Sequence, residues 1–392
     1  MEPSRSPRTA VAMLIAATMS LAACHSTRHA AAPTPAGSVV PVGGGHSPTA
    51  SVFGFRLSQA PSGRLYAATA SCPHAAPGCV AVLRSDDLGV TWQMVARPPL
   101  TGGGRLGTDV HVMLGSDTAL WFTYGDGGVL GSSDGGRTWH SWDQVDQGEV
   151  AGGTAWLYAT GMPRVFTATG GGQPVPTAAQ PSGINAVVAV TPVDADTAYV
   201  AGVQRNDPTL LLFRTTDRGR RWDRLPTATC SARGMDGLAL VTVSAGPGDR
   251  LWGLCAGAPP GEATEPVVAV TSTDHGQTWQ ATAPAGTAIR GSFFTYPEVV
   301  YPHSSAVAWY PAGQRLYRSR DGGAHWSPAG TLDGDGQLTS MALSGSDVAV
   351  YATLRPVLPP PDPAVLLHVT TDGGRTWTTH PLTATTPAPT SS

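Results

Sequence analysis

The sequence predicts an all-β protein, a seven-bladed β-propeller of four-stranded antiparallel blades, and three observations support this prediction. An eight-residue pattern, S/T-x-D-x-G-x-x-W, occurs six times between Ser85 and Trp377. Runs of apolar, β-branched and aromatic residues flank each copy, as expected for strands joined by a turn. The chain has 48 glycines and 35 prolines but is still 41% apolar, so a core with many turns is expected. Repeats of about this period are typical of solenoids and propellers.

Each copy of the pattern, called the octapeptide below, contains one aspartate and ends on a tryptophan. These pairs are Asp87 and Trp92, Asp134 and Trp139, Asp217 and Trp222, Asp274 and Trp279, Asp321 and Trp326, and Asp372 and Trp377. Successive aspartates are 47, 83, 57, 47 and 51 residues apart. Because 83 is close to two ordinary steps, we expect a degenerate copy at residues 164–175, which keep a strand and glycines but lack the aspartate and the tryptophan. The chain therefore has seven repeats, and six blades carry the octapeptide.

The residue types of the octapeptide predict a hairpin turn. An aspartate at a tight turn accepts hydrogen bonds from backbone N–H groups, and the glycine two residues later supplies a positive φ. The Ser or Thr hydroxyl can close the same turn, and the tryptophan begins the returning strand with a large apolar face. We expect these residues to be structural.

Each repeat divides into four short strands, the number in a propeller blade. In the second repeat the predicted strands are 109–114, 119–124, 128–132 and 138–142, and Gly, Asp and Ser turns separate them. Seven such repeats use the chain from about residue 50 to residue 382. We therefore expect one closed ring and no second domain.

The octapeptide resembles the Asp-box, or BNR, repeat of sialidases, of sortilin-type receptor propellers and of photosystem II assembly factors. The resemblance covers residues 85–377, and residues 121–139 are especially similar to the assembly-factor repeats. It implies that each box joins the two outer strands of a blade, away from the central funnel in which those families bind ligands.

The amino terminus predicts export and lipid anchoring. Arg5 and Arg8 precede a short apolar stretch at residues 10–21, and Leu-Ala-Ala-Cys follows at residues 21–24. This arrangement resembles a bacterial lipobox, which implies cleavage before Cys24 and lipidation of its thiol. The alternatives are a signal peptide cleaved elsewhere and a spanning helix, although a span needs about 20 apolar residues.

These features predict four segments: a lipoprotein signal peptide at 1–23, a flexible Ala/Pro/Gly/Ser/Thr tether at 24–49, the propeller at 50–382 and a disordered tail at 383–392. Two or more acyl chains anchor a protein stably in a bilayer. We therefore expect the propeller outside the cell, held at the outer face of the bacterial membrane by the lipid on Cys24.

Four further cysteines suit an exported protein, since disulfides persist in oxidising compartments. They are Cys72, Cys79, Cys230 and Cys255. Three pairings are possible, and closeness in sequence favours Cys72 with Cys79; free, buried thiols are the alternative. The chain has no C-x-x-C and no H-E-x-x-H motif, so nothing supports a metal or another cofactor. No basic run accompanies the formal net charge of -3, and we expect no nucleic-acid partner.

Two functions remain open, and the first is a noncatalytic module that binds protein or carbohydrate at its funnel and rim loops. The second is a sialidase-like exo-glycosidase, a family whose chemistry uses arginines on the sugar carboxylate and a tyrosine nucleophile polarised by a glutamate. The candidates for that chemistry are Arg56, Arg290, Tyr296, Glu298 and Tyr301. A catalytic site should bring them into one funnel. We favour the binding module, because one fold hosts many functions and the seven repeats depart from the six blades of sialidases.

Overall fold

The repeats fold as seven antiparallel sheets, the blades of an all-β propeller. The computed structural model describes residues 54–70, 79–100, 110–124, 128–205, 207–226, 239–245, 250–256, 265–282, 289–291, 300–312, 315–332, 337–355, 364–382 and 384–385. Within these residues every regular element is a β-strand. No helix long and apolar enough to cross a membrane occurs in this described part of the chain.

Each blade takes its four main strands from one continuous stretch of chain, paired in sequence order. In blades 1 to 3 they are β1 (Gly54–Gln59), β2 (Leu65–Ala70), β3 (Val80–Ser85) and β4 (Trp92–Ala96); β5 (Val110–Leu114), β6 (Leu120–Tyr124), β7 (Val129–Ser132) and β8 (His140–Trp142); and β9 (Gln147–Ala151), β10 (Thr154–Tyr158), β11 (Val165–Thr169) and β12 (Val175–Pro176).

Blades 4 to 7 follow the same scheme. Blade 4 has β13 (Ala186–Pro192), β14 (Ala198–Gln204), β15 (Asp207–Thr215) and β16 (Asp223–Arg224); blade 5 has β17 (Ala239–Ala245), β18 (Leu251–Ala256), β19 (Glu265–Ser272) and β20 (Gln280–Thr282), with β21 (Ile289–Gly291) also on β19. Blade 6 has β22 (Tyr301–Pro302), β23 (Ala308–Ala312), β24 (Arg315–Ser319) and β25 (Ser327–Thr331); blade 7 has β26 (Gln337–Leu343), β27 (Ala349–Arg355), β28 (Ala364–Thr370) and β29 (Thr378–Pro381).

The prediction of seven four-stranded blades is confirmed. The four strands expected in the second repeat all occur, and their ends differ from the predicted ones by at most two residues. The degenerate copy at 164–175 supplies β11, the whole link to β12 and the first residue of β12, so it completes blade 3. At the carboxyl end, β30 (Ala384–Thr385) pairs in parallel with β4, which extends the sheet of blade 1 into the segment that the sequence assigned to the tail.

The first strand of every blade faces the centre of the ring. Each of these strands contacts the first strand of the next blade, and β1 also contacts β26, which closes the circle. They therefore surround a central channel. The turns after first strands and the octapeptide turns lie at one end, the lower face. The turns after second strands and the connections between blades lie at the other end, the upper face.

The core consists of the interfaces between neighbouring blades. Between blades 1 and 2, for example, Val80 and Val82 pack with Val112 and Phe122, and all four side chains are buried. Octapeptide tryptophans extend these interfaces: three of them pack edge-on against a second-strand tryptophan of the preceding blade. These pairs are Trp222 with Trp156, Trp326 with Trp252, and Trp377 with Trp309, with ring centroids 6.2, 5.9 and 6.1 Å apart. Each such pair stabilises by about 0.5–1.5 kcal/mol beyond its buried area.

All six octapeptides fold into the same turn between the third and fourth strands. The Ser or Thr hydroxyl donates to the Asp Oδ1 at 2.8–3.0 Å and accepts the N–H of the fifth residue, glycine, at 2.8–2.9 Å. The same Oδ1 accepts the N–H of the seventh residue at 2.8–3.0 Å. These bonds confirm the expected chemistry of the turn.

Hydrogen bonds also fix the charge of the octapeptide carboxylates. Bonds from the Thr278 side chain and backbone lower the pKa of Asp274 to about 2. The backbone N–H of Thr376 has the largest effect on Asp372, whose pKa also lies at about 2. The pKa is lowered at all six octapeptide aspartates, so each carboxylate is ionised over the whole physiological range.

The turn needs two successive left-handed residues, although the sequence predicted only the glycine at the fifth position. The fourth residue also has a positive φ, which is 71–76° at Gly135, Gly322 and Gly373. In the other three octapeptides a side chain occupies this position at a φ of 59°. These strained residues are Leu88, Arg218 and His275.

Candidate ligand site in the central channel

Four polar side chains of innermost strands, called the channel cluster below, interact in the central channel. They are Arg56 on β1, His111 on β5, Glu149 on β9 and Tyr301 on β22. The Arg56 Nη2 donates to Glu149 Oε1 at 3.1 Å, and His111 Nδ1 lies 3.9 Å from the same oxygen. Tyr301 lies close enough to Arg56 and Glu149 for both charges to affect its pKa. Blades 1, 2, 3 and 6 therefore contribute to one site.

Strand alternation directs Arg56 into the channel. Its neighbours Phe55 and Leu57 are buried between blades 1 and 7, and successive side chains of a strand point to opposite sides. The N–H of Leu57 also donates to Ser340 Oγ of β26 at 2.8 Å, which holds β1 against the last blade. The closure of the ring therefore also sets the position of Arg56.

A close strand pair positions Glu149. Gly148 precedes it on β9, and a Cβ at Gly148 would lie 2.4 Å from a methyl carbon of Leu157 and 2.5 Å from the Trp156 carbonyl oxygen of β10. A larger residue would push β9 away from β10 and would displace the Glu149 carboxylate. Glycine is therefore required at this position for the observed geometry.

The cluster combines two charged and two neutral groups. Arg56 and Glu149 keep 40% and 43% of their side-chain surface accessible, so a ligand in the channel can reach both. The surrounding protein nevertheless raises the pKa of Glu149, and the charge of Arg56 partly offsets this effect. Burial, together with the positive charge of Arg56, holds the pKa of His111 well below its usual value, so the imidazole is neutral at pH 7.

Burial likewise raises the pKa of Tyr301 to about 12, and Glu149 adds to this rise while Arg56 opposes it. The phenol is therefore protonated at neutral pH and can donate a hydrogen bond. The cluster thus offers an ion pair and neutral polar groups to a ligand that has both hydrogen-bond donors and acceptors. Among the described residues, no group of three or more His, Cys, Asp or Glu side chains could hold a metal ion.

The structure brings together two of the five residues proposed for glycosidase chemistry, Arg56 and Tyr301. Arg290 is described only by its backbone: it lies on β21, on the edge of β19 opposite β18, where β20 also pairs. This edge is the outer side of blade 5 and not an innermost strand. Tyr296 and Glu298 lie outside the described residues, so their part in a site stays a prediction.

Sequence reasoning missed Glu149 and His111, although a signal for both was present. Each is the polar residue at the second or third position of the first strand of its repeat, as Arg56 is in β1. Aligning the first strands of all repeats would have placed these polar residues at one level of the channel. Neither residue matches a recognised catalytic motif.

The cysteine predictions lie mostly outside the described residues. Cys79 is buried, with 2% of its surface exposed, directly before β3. Cys24, Cys72 and Cys230 are not described, and Cys255 is described only by its backbone on β18. The lipidation of Cys24 and the pairing of the other four cysteines therefore stay predictions.

Comparisons with known proteins agree with the architecture. The BNR/Asp-box repeat family matches residues 270–281, which contain the whole fourth octapeptide. Among solved structures, YCF48 bound to D1 peptide is 14% identical, with 84% of this chain and 96% of that chain covered and a TM-score of 0.51. This likeness shows a propeller fold.

Two carbohydrate-active enzymes are also similar in structure. The GH74 xyloglucanase from Xanthomonas campestris is 15% identical over 84% of this chain and 60% of its own length, with a TM-score of 0.48. A PL25 ulvan lyase is 11% identical over 84% of this chain and 94% of its own, with a TM-score of 0.49. The chain thus spans about three fifths of the xyloglucanase. No curated protein matches this chain in sequence.

Proposed function

We propose that this seven-bladed β-propeller, which carries a BNR/Asp-box repeat, is a noncatalytic module that binds a protein or carbohydrate ligand in its central channel. The observation that carries the proposal is the Arg56–Glu149 ion pair, which blades 1 and 3 hold across the channel with both side chains still accessible. Fixed, accessible donors and acceptors in a concave site are typical of ligand recognition.

The protonation states of the cluster support binding over nucleophilic chemistry. A tyrosine nucleophile must lose its phenolic proton during attack, and the raised pKa of Tyr301, about 12, opposes that loss. The Glu149 carboxylate accepts one hydrogen bond from Arg56 and keeps further lone pairs that can accept bonds from a ligand. Both residues are therefore better suited to hydrogen bonding a ligand than to attacking one.

One observation favours the alternative function, a sialidase-like exo-glycosidase. Arg56 and Tyr301 come from distant parts of the chain, yet Arg56 pairs with Glu149 and the charges of both act on the Tyr301 phenol. Arginine, tyrosine and glutamate are the residue types that the resemblance to sialidases implies for a catalytic site. Groups with shifted pKa values are also common at catalytic sites. In this alternative Glu149, and not Glu298, would be the glutamate beside the tyrosine.

Two assays on the chain from residue 25 separate these functions: hydrolysis of a fluorogenic sialoside, and ligand binding on glycan and peptide arrays. We expect no turnover, and we expect array ligands whose affinity falls about 10- to 100-fold in Arg56→Met, as for the loss of a charge-assisted hydrogen bond. Arg221→Met is the matched control, because Arg221 pairs with Asp223 at 2.7 Å on the outer surface. Sialoside turnover that Tyr301→Phe abolishes would replace the proposal with the glycosidase.

We also propose that a lipid on Cys24 holds the propeller at the outer face of the cell membrane, with residues 25–49 as the tether. The Ala/Pro/Gly/Ser/Thr-rich composition of the tether supports this arrangement, because such segments are flexible. Fractionation of cells tests it. Cys24→Ala should release the protein from the membrane fraction, whereas deletion of residues 25–49 should leave it there. A Cys24→Ala protein that stays in the membrane fraction would exclude lipidation at this residue.

A further inference from the structure

A small apolar surface lies on the upper face beside the channel. Met162 and Val188 are 56% and 40% exposed, among the large apolar residues that the structure leaves accessible. They are neighbours, since the Met162 carbonyl accepts the N–H of Val187 at 2.9 Å. Tyr158 joins them through its hydroxyl, which donates to the Val188 carbonyl at 3.1 Å. We call Tyr158, Met162 and Val188 the apolar rim.

The backbone holds the apolar rim in its exposed position. The pairing of β13 with β14 shifts register between Val187 and Ala189, so Val188 is the extra residue of a β-bulge. Bulges redirect a side chain and are frequent next to functional sites. The loop that carries Met162 is fixed as well, because Thr160 donates to Asp146 Oδ1 through its N–H at 2.9 Å and its hydroxyl at 3.0 Å. The rim is therefore preorganised.

The apolar rim and the channel cluster are close enough for one ligand to contact both. Tyr158 pairs with Gln147 of β9, and Glu149 lies two residues further along the same strand. Two residues of a strand span about 6.6 Å. Val188 lies on β13, which is the next innermost strand and contacts β9. A ligand that covers the rim can therefore reach the Arg56–Glu149 pair with its next polar group.

We propose that this channel mouth binds an extended peptide segment, with one large apolar side chain on the apolar rim and the adjoining backbone amides on the Arg56–Glu149 pair. The inference rests on the proposed binding function and names its ligand class. Methionine adapts its shape to different apolar partners, which suits a site for aliphatic or aromatic side chains. A peptide group offers one donor and one acceptor, which complement the carboxylate of Glu149 and the guanidinium of Arg56.

Selection of a random dodecapeptide library against the full chain carrying Cys24→Ser tests the proposal. We expect the selected peptides to contain a large apolar residue, and their affinity is then measured by fluorescence polarisation. Val188→Asp and Met162→Asp should each weaken binding at least tenfold. Val175→Asp is the matched control: Val175 is 58% exposed on β12, at the outer edge of blade 3, and its substitution should leave affinity unchanged. Thermal unfolding checks that each variant is folded. If Val188→Asp does not fold, the result for Met162→Asp decides the test, because Met162 lies in a loop.

Three outcomes would overturn the inference. If the selected peptides bind Val188→Asp and Met162→Asp as tightly as they bind the unchanged protein, the peptide site lies outside the apolar rim. Self-association of the chain that Val188→Asp abolishes would assign the rim to a second copy. If glycans bind in an Arg56-dependent manner and no peptide is selected, the peptide ligand is refuted, but the proposed binding function is retained. If neither a glycan nor a peptide binds, the proposed binding function is refuted as well.

Discussion

Two adjacent glycines of the second octapeptide allow backbone strain to be separated from steric conflict. Gly135 and Gly136 both have positive φ values, 75° and 88°. A Cβ at Gly135 would meet nothing closer than the Asp117 carbonyl oxygen at 3.6 Å, an ordinary contact. A Cβ at Gly136 would lie 2.4 Å from the Cβ of Ala96, which ends β4 of the preceding blade. Alanine at 135 therefore strains only the backbone, whereas alanine at 136 also forces two blades apart.

The expected magnitudes follow from these distances. A left-handed conformation costs a non-glycine residue about 1–2 kcal/mol, which is the whole expected cost of Gly135→Ala. Overpacking adds about 1–3 kcal/mol, so Gly136→Ala should cost about 2–5 kcal/mol. For a ring of this size the entropy of unfolding is roughly 0.7 kcal/mol per kelvin. The melting temperature should therefore fall by about 1.5–3 °C in Gly135→Ala and by about 3–7 °C in Gly136→Ala.

Differential scanning calorimetry and urea unfolding of the two variants measure these costs. Gly63→Ala is the control for strain alone, because Gly63 has a φ of 85° and a Cβ there would meet no atom within 4 Å. It should behave like Gly135→Ala. The reverse substitution, His275→Gly, removes a side chain from the equivalent left-handed position at 59° and should stabilise the ring slightly. Equal losses in the two alanine variants would refute the assignment of the additional cost to the interface between blades.

Three other predictions test the ties that hold the blades. The carboxylates of Asp134 and Asp274 have folded pKa values of about 2, against an ordinary value of 3.8. Their contribution to stability is therefore complete above pH 3.8 and is lost as the pH falls towards 2. Melting temperatures measured between pH 5 and pH 2 should show this loss, and Asp134→Asn should make the fall shallower. Arg318→Met should lower the free energy of unfolding by about 2–4 kcal/mol in urea titrations. Arg318 is only 5% exposed, and its loss leaves the carbonyl groups of Ser346 and Gly373 without this donor. Arg320→Met is the control: it removes a 56% exposed partner of the same Asp347 and should cost under about 1 kcal/mol. Peptide mapping without reduction should find Cys72 linked to Cys79, and a Cys72–Cys230 peptide would contradict this pairing.

The fold was predictable because its determinants are local. The octapeptide contains the Ser or Thr hydroxyl and the Asp carboxylate that close its turn, so six similar turns could be recognised from eight residues each. Even the degenerate repeat kept enough apolar residues and glycines to show where β11 and β12 form. The left-handed fourth position was missed because three octapeptides have a side chain there. The hydrogen bonds of the turn impose that conformation on Leu88, Arg218 and His275 regardless of their preference.

The channel site was less predictable because it depends on which strands meet across the ring. Glu149 and Arg56 are 93 residues apart in sequence, and no spacing rule connects them. Arg290 raises the same problem: the sequence proposed it for the same site as Arg56, and the structure describes only its backbone, on β21, which pairs with the outer edge of β19. Short segments can dock on either edge of a blade, and the sequence of the segment alone does not specify which.

The two faces of the ring have different physical roles, and this difference explains why a rigid scaffold can carry an adaptable site. At the lower face, charged side chains bridge neighbouring blades, as Arg64 does with Asp117 at 2.6 Å and Arg250 does with the Gly322 carbonyl at 2.8 Å. The octapeptide turns lie at the same face. The ligand groups that we propose lie within the channel and at the upper face, where Val188 and Met162 contribute little to the core. Stability and recognition are therefore separable: lower-face substitutions should change the unfolding free energy with little effect on ligand affinity, and substitutions in the apolar rim should do the opposite, since distant sites act additively.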